Sequence, residues 1–390
     1  MRSRLPLQPA GWVVLGVGVA SLIGALVLNW SELLVLATGC GVVLLFSIAF
    51  IIGRSDVRLE RRLVPERVTV GEPALAELHA SNPGSIRTSK QQIQDAVDGV
   101  PVTVSLPAIG PGETNIQVWA PPTDRRGVRE LGPARITKAD PCRLMQRDVG
   151  QTGVDTLWVH PRVVPMPSFA AGLTKDMDGP TFDHSPAGDV AFHAIRPYRI
   201  GDDARHVHWM ATARAGEMMV RHFVDNRQPY LTVLLDTNAA SWHEEADFDA
   251  AIDIAASLGV SALVNAQPVA VYAGTQSLVG AAKRSTRNLL LDDLTVLKTE
   301  DKFELARAAG LVLAQERNTT ITVLLTGTAA GAQPLADAAA NVANHSGVML
   351  VRVGADEDTN RPNPTRGVRL LDVISVDEFA ALLGREITIS

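Results

Sequence analysis

The chain has 390 residues, 46% of them hydrophobic and 20% charged, with a formal net charge of -6. That length exceeds what one hydrophobic core usually organises, so a membrane segment followed by two soluble domains is the expected division. The acidic balance, without a clustered basic face, excludes nucleic acid as a partner, and two cysteines, Cys40 and Cys142, exclude a disulfide framework.

Residues 1–10 form a short N-terminal segment, and residues 11–53 read as a transmembrane hairpin. Gly11 to Leu28 carries no charge and is long enough as a helix to cross the hydrocarbon; Leu33 to Ile52 is a second such run. Only Asn29, Trp30, Ser31 and Glu32 separate them, which demands a tight turn between antiparallel helices. Trp12 and Trp30 mark the two ends of the first span, where indole rings favour the interface. Arg2 and Arg4 precede the hairpin, Arg54, Arg58, Arg61 and Arg62 follow it, and the turn has no Lys or Arg. The positive-inside rule then predicts a multi-pass protein of the inner or plasma membrane with both termini and the soluble domains cytoplasmic. A cleaved signal peptide is disfavoured by the second span and by the lack of a small-residue cleavage pattern. Gly16, Ala20 and Gly24 on the first helix, and Ala37 and Gly41 on the second, predict close packing of the hairpin on itself.

From 57 to 165, short alternating runs broken by turn residues predict a small β-sandwich-like module. Its expected strands are Arg67–Val70, Ala74–Ala80, Val102–Leu106 and Ile116–Trp119, and no residue there asks for a chemical role. From 228 to 390 the pattern changes. Leu231–Leu235, Val269–Tyr272, Ile321–Leu325 and Val348–Val351 are continuous apolar runs, expected of strands buried on both faces, and helical periodicity around Phe248–Leu258 and Phe303–Leu313 fills the gaps. This alternation predicts an α/β doubly wound, mostly parallel sheet.

Residues 179–223 match neither pattern and are dense in Arg, His, Asp and Trp. Within them Arg196, Tyr198, Gly201, Asp202, Asp203, Arg205, Trp209, Ala213 and Arg214 fill a spacing that strongly resembles the signature of domain-of-unknown-function family 58. His208 stands where that family usually has Asp. Arg125-Arg126-Gly127, Asp140-Pro141 and His160-Pro161 extend the resemblance over most of the chain. It implies two N-terminal spans, a β-rich stretch, and a C-terminal domain similar to a von Willebrand factor A domain. It also implies partnership with AAA+ ATPases of the MoxR type, and with protein clients whose identity it leaves open, as it does the oligomeric state. Physically, Gly201-Asp202-Asp203 is a turn signal flanked by arginines, and Trp209 supplies an apolar anchor. Two readings follow: a salt-bridged clamp between the two soluble domains, or a docking surface for a partner.

Domains of the von Willebrand A type often hold Mg²⁺ through an Asp-x-Ser-x-Ser loop after the first strand, with further oxygens from later loops. Here that loop reads Asp236-Thr237-Asn238-Ala239-Ala240-Ser241, and the later position reads Thr326-Gly327. Asp236, Asn238, Ser241 and Thr326 are therefore the candidate ligands of a degenerate site, and no cofactor is expected. His206-x-His208 on a strand would put two imidazoles on one face, but no cysteine joins them. No nucleophile elbow, phosphate loop or zincin helix occurs. The expected function is a non-enzymatic membrane-anchored adaptor or assembly factor. The alternatives are a metal-dependent hydrolase using the Asp/His-rich segment, or a purely structural envelope protein.

Overall fold

The computed structural model describes residues 7–52, 57–167, 190–199, 206–225, 230–280, 285–301, 303–354 and 367–389. Two compact units divide between His160 and Pro161. The first contains the apolar helices and the β-rich module; the second contains the α/β region.

Helices α1 (Pro9–Leu28) and α2 (Ser31–Ile52) are joined by Asn29 and Trp30 alone. Asn29 takes a left-handed conformation, φ 53°, which few residues other than Gly and Asn tolerate and which ends α1 there. Both helices are long and apolar enough to cross a membrane. Val27 is 75% exposed and Val35 71%, so their apolar surface faces outward, unlike that of a soluble core helix. The contact seam differs from the four-residue spacing expected. Gly18, where a side chain would crowd Cys40, and Gly24, where it would crowd Leu33, lie on it, and Ser21 and Ala25 are buried beside them. At Gly16 and Gly41 an added methyl would meet nothing. Alternating steps of three and four residues keep one stripe facing a partner, whereas steps of four alone drift off it.

The module that follows has ten strands: β1 (Arg58–Val64), β2 (Arg67–Thr69), β3 (Leu75–Ser81), β4 (Gln91–Val97), β5 (Val100–Leu106), β6 (Thr114–Trp119), β7 (Gly127–Leu131), β8 (Arg135–Ala139), β9 (Gln146–Gln151) and β10 (Asp155–His160). One sheet has the order β1-β3-β6. The other runs β2-β10-β7-β4-β8-β9, with β5 paired to β4. Their inner faces share the apolar clusters: Leu78 and Ala80 of β3 meet Ile93 of β4 and Ile136 of β8, and Ala76 meets Val97, Leu131 and Leu157. Alternation on β4 turns Gln91, Ile93, Asp95 and Val97 inward together. The inward Asp95 carboxylate is met by Arg61, itself inward on β1, at 2.7 Å. Arg61 also donates to Asp155 Oδ2 and to the carbonyls of Leu131 and Gly153, so its guanidinium ties three strands and a turn.

The turn between β8 and β9 reaches back to the hairpin. Gln8 N donates to the Leu144 carbonyl at 2.9 Å, and Leu7 pairs with Met145 as an antiparallel bridge. Gly11 lies so close to the Leu144 carbonyl that any side chain would overlap it. Ser47 Oγ donates to Asp140 Oδ2 at 3.0 Å, the same oxygen accepts from Cys142 N, and Oδ1 accepts from Met145 N. Asp140 is buried and every one of these donors is local to the junction.

In the second unit, β11 (Val190–Pro197) and β12 (Met219–Asp225) form an antiparallel ribbon, with α3 (Trp209–Ala215) between them in the chain. The remaining elements are β13 (Leu231–Leu235), α4 (Glu245–Val264), β14 (Val269–Ala273), β15 (Gln276–Val279), α5 (Arg287–Thr295), α6 (Leu305–Gln315), β16 (Ile321–Gly327), α7 (Ala332–Ala343), β17 (Gly347–Val353), β18 (Val368–Val373) and α8 (Val376–Ile389). Their sheet has the order β15-β14-β13-β16-β17-β18, parallel except for the edge strand β15. Leu231, Val233 and Leu235 pack with α4, α5 and α8 on one face, and Leu234 packs with α6 and α7 on the other. Burial on both faces explains the uninterrupted apolar runs. Val163, Val164 and Met166 also pack into the first of these cores, so the chain joins the α/β unit directly after His160.

Replacing Arg61 with Ala strands the buried Asp95 carboxylate. The expected loss is about 3–5 kcal/mol of stability in the first unit, read as an early thermal transition of the detergent-solubilised chain while the α/β unit keeps its own.

Candidate functional site

Strand order in the sheet reverses between β13 and β16, and the carboxyl ends of strands at such a point are where α/β sheets bind ligands. Asp236, directly after β13, is 2% exposed. Its Oδ1 accepts from Asn238 N at 2.9 Å, an Asx turn, and its Oδ2 accepts from Thr326 Oγ1 of β16 at 2.8 Å. The Ser241 hydroxyl adds a further bond. Burial pushes the Asp236 carboxyl above the usual carboxylate range, and the donors from Asn238, Ser241 and Thr326 oppose that shift without cancelling it. Asn238 accepts from Ala240 N through its amide oxygen, capping the turn at Ala239–Ser241. The four candidate ligands thus come together as the sequence placed them.

Their oxygens, however, are already engaged with one another. A hard cation would share these oxygens with the donors from Asn238, Thr326 and Ala240, and it would find one carboxylate where a second is usual. The donor set fits a hydrogen-bonded lock between β13 and β16 better than a cation site. Among the described residues, no group of three or more His, Cys, Asp or Glu could hold a metal ion. Gly327 is required by this packing, since any side chain would overlap the Ser241 carbonyl. Thr237 and Thr328 hydroxyls are buried at the same edge without hydrogen-bond partners.

A second buried cluster gave no signal in the sequence. Glu316 accepts from Tyr230 Oη at 2.6 Å and from Tyr272 Oη at 2.8 Å. Burial, then the Glu316 hydrogen bond, raises both phenols, that of Tyr272 to about 12. Tyrosines at these positions read as core aromatics, and only the partner from the end of α6 reveals the network.

Of the family-like segment, Arg196 and Tyr198 lie at the end of β11, Trp209 and Arg214 lie on α3, and Gly201, Asp202, Asp203 and Arg205 fall outside the described residues. His206 and His208 do not share a strand. Val207 between them makes an isolated bridge to Val220, and His208 is the N-cap of α3, its Nδ1 accepting from Ala211 N at 3.1 Å. The Asp that the resemblance leads one to expect is among the best N-caps, so His208 keeps the acceptor while losing the charge. Trp209 corrects the expectation of an apolar anchor: it is 70% exposed, beside Met210 at 65% and near Met218 at 45%. Thr212 holds the helix against β12 by accepting from Met219 N, and buried Val207 and Val220 fix its base, which turns the indole outward.

The family described as protein of unknown function DUF58 matches residues 194–377, from β11 into α8. The resemblance read around Arg196 therefore extends across the ribbon and the whole sheet. No curated protein matches the chain. Among solved structures, the CARDB domain of the PF1109 protein from Pyrococcus furiosus, in complex with di-metal ions, is 15% identical over 27% of this chain and 87% of its own, with a TM-score of 0.21. Proximal thread matrix protein 1 from the mussel byssus is 15% identical over 41% of this chain and 47% of its own, with a TM-score of 0.30. At these TM-scores neither likeness bears on function.

Thr326→Val removes the Oδ2 donor from a buried carboxylate and is expected to cost about 2 kcal/mol. The raised Asp236 carboxyl means that the folded state takes up a proton that the unfolded state releases. Its penalty is therefore full at neutral pH and fades as pH falls through the folded value towards about 4. Melting followed by Trp242, packed edge-on to Phe248 near this site, should show wild type gaining on Asp236→Asn over that descent. For the cap, His208→Ala should speed amide exchange at Ala211 roughly fivefold, about 1 kcal/mol, whereas His208→Asp should leave it protected.

Proposed function

We propose that the chain is a non-enzymatic, membrane-anchored adaptor whose α/β unit is a von Willebrand A-like domain. Its partner is a MoxR-type AAA+ ATPase, or a protein client handled with one, at the cytoplasmic face. The observation that carries this reading is the exposed Trp209, Met210 and Met218 on and beside α3, within the most distinctive segment of the chain. Exposed Trp and Met close together are the composition of protein-binding hot spots, whereas an isolated apolar residue would need no explanation. The strand order and the antiparallel edge support the domain assignment, and the arginines flanking the hairpin support the orientation. The closed hydrogen bonding of Asp236 favours binding over metal-dependent hydrolysis.

Detergent-solubilised protein, recovered by a C-terminal tag from its native host, should bring the ATPase with it. Trp209→Ala should reduce that recovery at least tenfold while shifting thermal stability little, because the indole is exposed. Recovery of the ATPase undiminished by the substitution would remove α3 from the interface. Absence of any ATPase from the wild-type preparation would end the adaptor reading.

A further inference from the structure

The turn between β8 and β9 lies at an unexpected height along the hairpin. Ser47, which it caps, is as far along α2 from Trp30 as Trp12 is along α1 from Asn29, so the two residues share one level. Gly11, beside Trp12, packs on the Leu144 carbonyl at that same level. Trp12 is 50% exposed, and a Trp at the end of an apolar span marks the headgroup boundary. Beyond Ser47 the helix continues through Ile48, Ala49, Phe50, Ile51 and Ile52, roughly 7 Å more of apolar chain at 1.5 Å per residue. The turn therefore sits beside a stretch of helix that belongs in lipid, not above it.

Its side chains suit that depth. Leu144 and Met145 are buried, and the Asp140 carboxylate, costly near hydrocarbon, is closed off by Ser47 Oγ, Cys142 N and Met145 N. The outer face consists of Pro141, Cys142 and Arg143, all exposed. Two of these carry no charge, and the third is the residue best fitted to bridge from the boundary to a lipid phosphate.

We propose that the Asp140–Met145 turn is a second membrane contact. Pro141 and Cys142 rest at the boundary between headgroups and acyl chains, and Arg143 pairs with the phosphate of anionic phospholipid. The β-rich module is then seated in the bilayer surface rather than hung from the hairpin. This inference rests on the hairpin spanning the membrane, and the experiment separates the two.

The full chain is placed in nanodiscs containing phosphatidylglycerol, and single cysteines are labelled with a fluorophore. Cys142 is kept in a Cys40→Ala chain. Leu22→Cys, exposed on α1, and Glu66→Cys, exposed beyond the end of β1 remote from α2, are made in a chain lacking both natural cysteines. Nitroxide lipids carry the quencher in the headgroup or deep in the acyl chain. Headgroup quenching at Cys142 is expected to exceed that at Glu66→Cys at least threefold, with acyl quenching strongest at Leu22→Cys. An unquenched Leu22→Cys would overturn the hairpin reading and this proposal with it. A quenched Leu22→Cys with Cys142 behaving like Glu66→Cys would overturn the proposal alone. Arg143→Glu should at least halve the headgroup quenching at Cys142, and an unchanged signal would overturn the arginine–phosphate contact.

Discussion

A carboxylate removed from water must be met by donors, and the arrangement of this chain follows from how it meets that demand. Asp95 in the β-rich module is answered by the Arg61 guanidinium, Asp140 by a hydroxyl and two backbone amides, and Asp236 by a hydroxyl of the neighbouring strand and its own turn. In each case at least one donor, Arg61, Ser47 or Thr326, comes from a different element, so the hydrogen bonds join parts that apolar packing alone would leave free to slide. Hydrophobic burial supplies most of the stabilisation, but it is not directional. The buried carboxylates set register: β1 against β4, α2 against the β8–β9 turn, and β13 against β16.

This division explains what was legible in the sequence. The parallel strands β13, β14, β16 and β17 were readable because burial on both faces leaves continuous apolar runs, and the two N-terminal helices because each is a longer uninterrupted apolar run. Strands β1 and β4 were not. Their inward positions include Arg61, Gln91 and Asp95, which break the apolar alternation that sequence reading depends on, and only the pairing across strands shows that Arg61 and Asp95 meet, while the Gln91 amide is buried without a hydrogen-bond partner. The helix seam was misread for a related reason. Of the regular four-residue series, Gly24 meets the partner helix and Gly16 does not, because the packed stripe advances in alternating steps of three and four.

The candidate site shows the limit of motif reasoning more sharply. Sequence placed Asp236, Asn238, Ser241 and Thr326 together, and they are together, but proximity does not decide between a cation site and a lock. What bears on the choice is the charge and the hydrogen bonding of the four side chains. Thr326 donates to Asp236, where a second carboxylate would repel it, and Asn238 accepts from Ala240 N, so Asp236 is the one charged group among the four. The same accounting applies to His208, whose Nδ1 accepts from Ala211 N where a capping carboxylate would.

Trp209 is the counterpart of these closed groups. Folding places the Asp236 and Asp140 carboxylates against internal donors, yet it leaves an indole and two methionine side chains in water, where their exposure contributes nothing to stability. Thr212 accepts from Met219 N and Val207 bridges Val220, so α3 is tied to β12 while its apolar side chains stay outside. Rigid presentation lowers the ordering cost of binding, because the side chains are already carried on a fixed helix when a partner arrives. If the β-rich module is also seated in the lipid surface through Arg143, the chain combines a fixed membrane end with an unsatisfied apolar end.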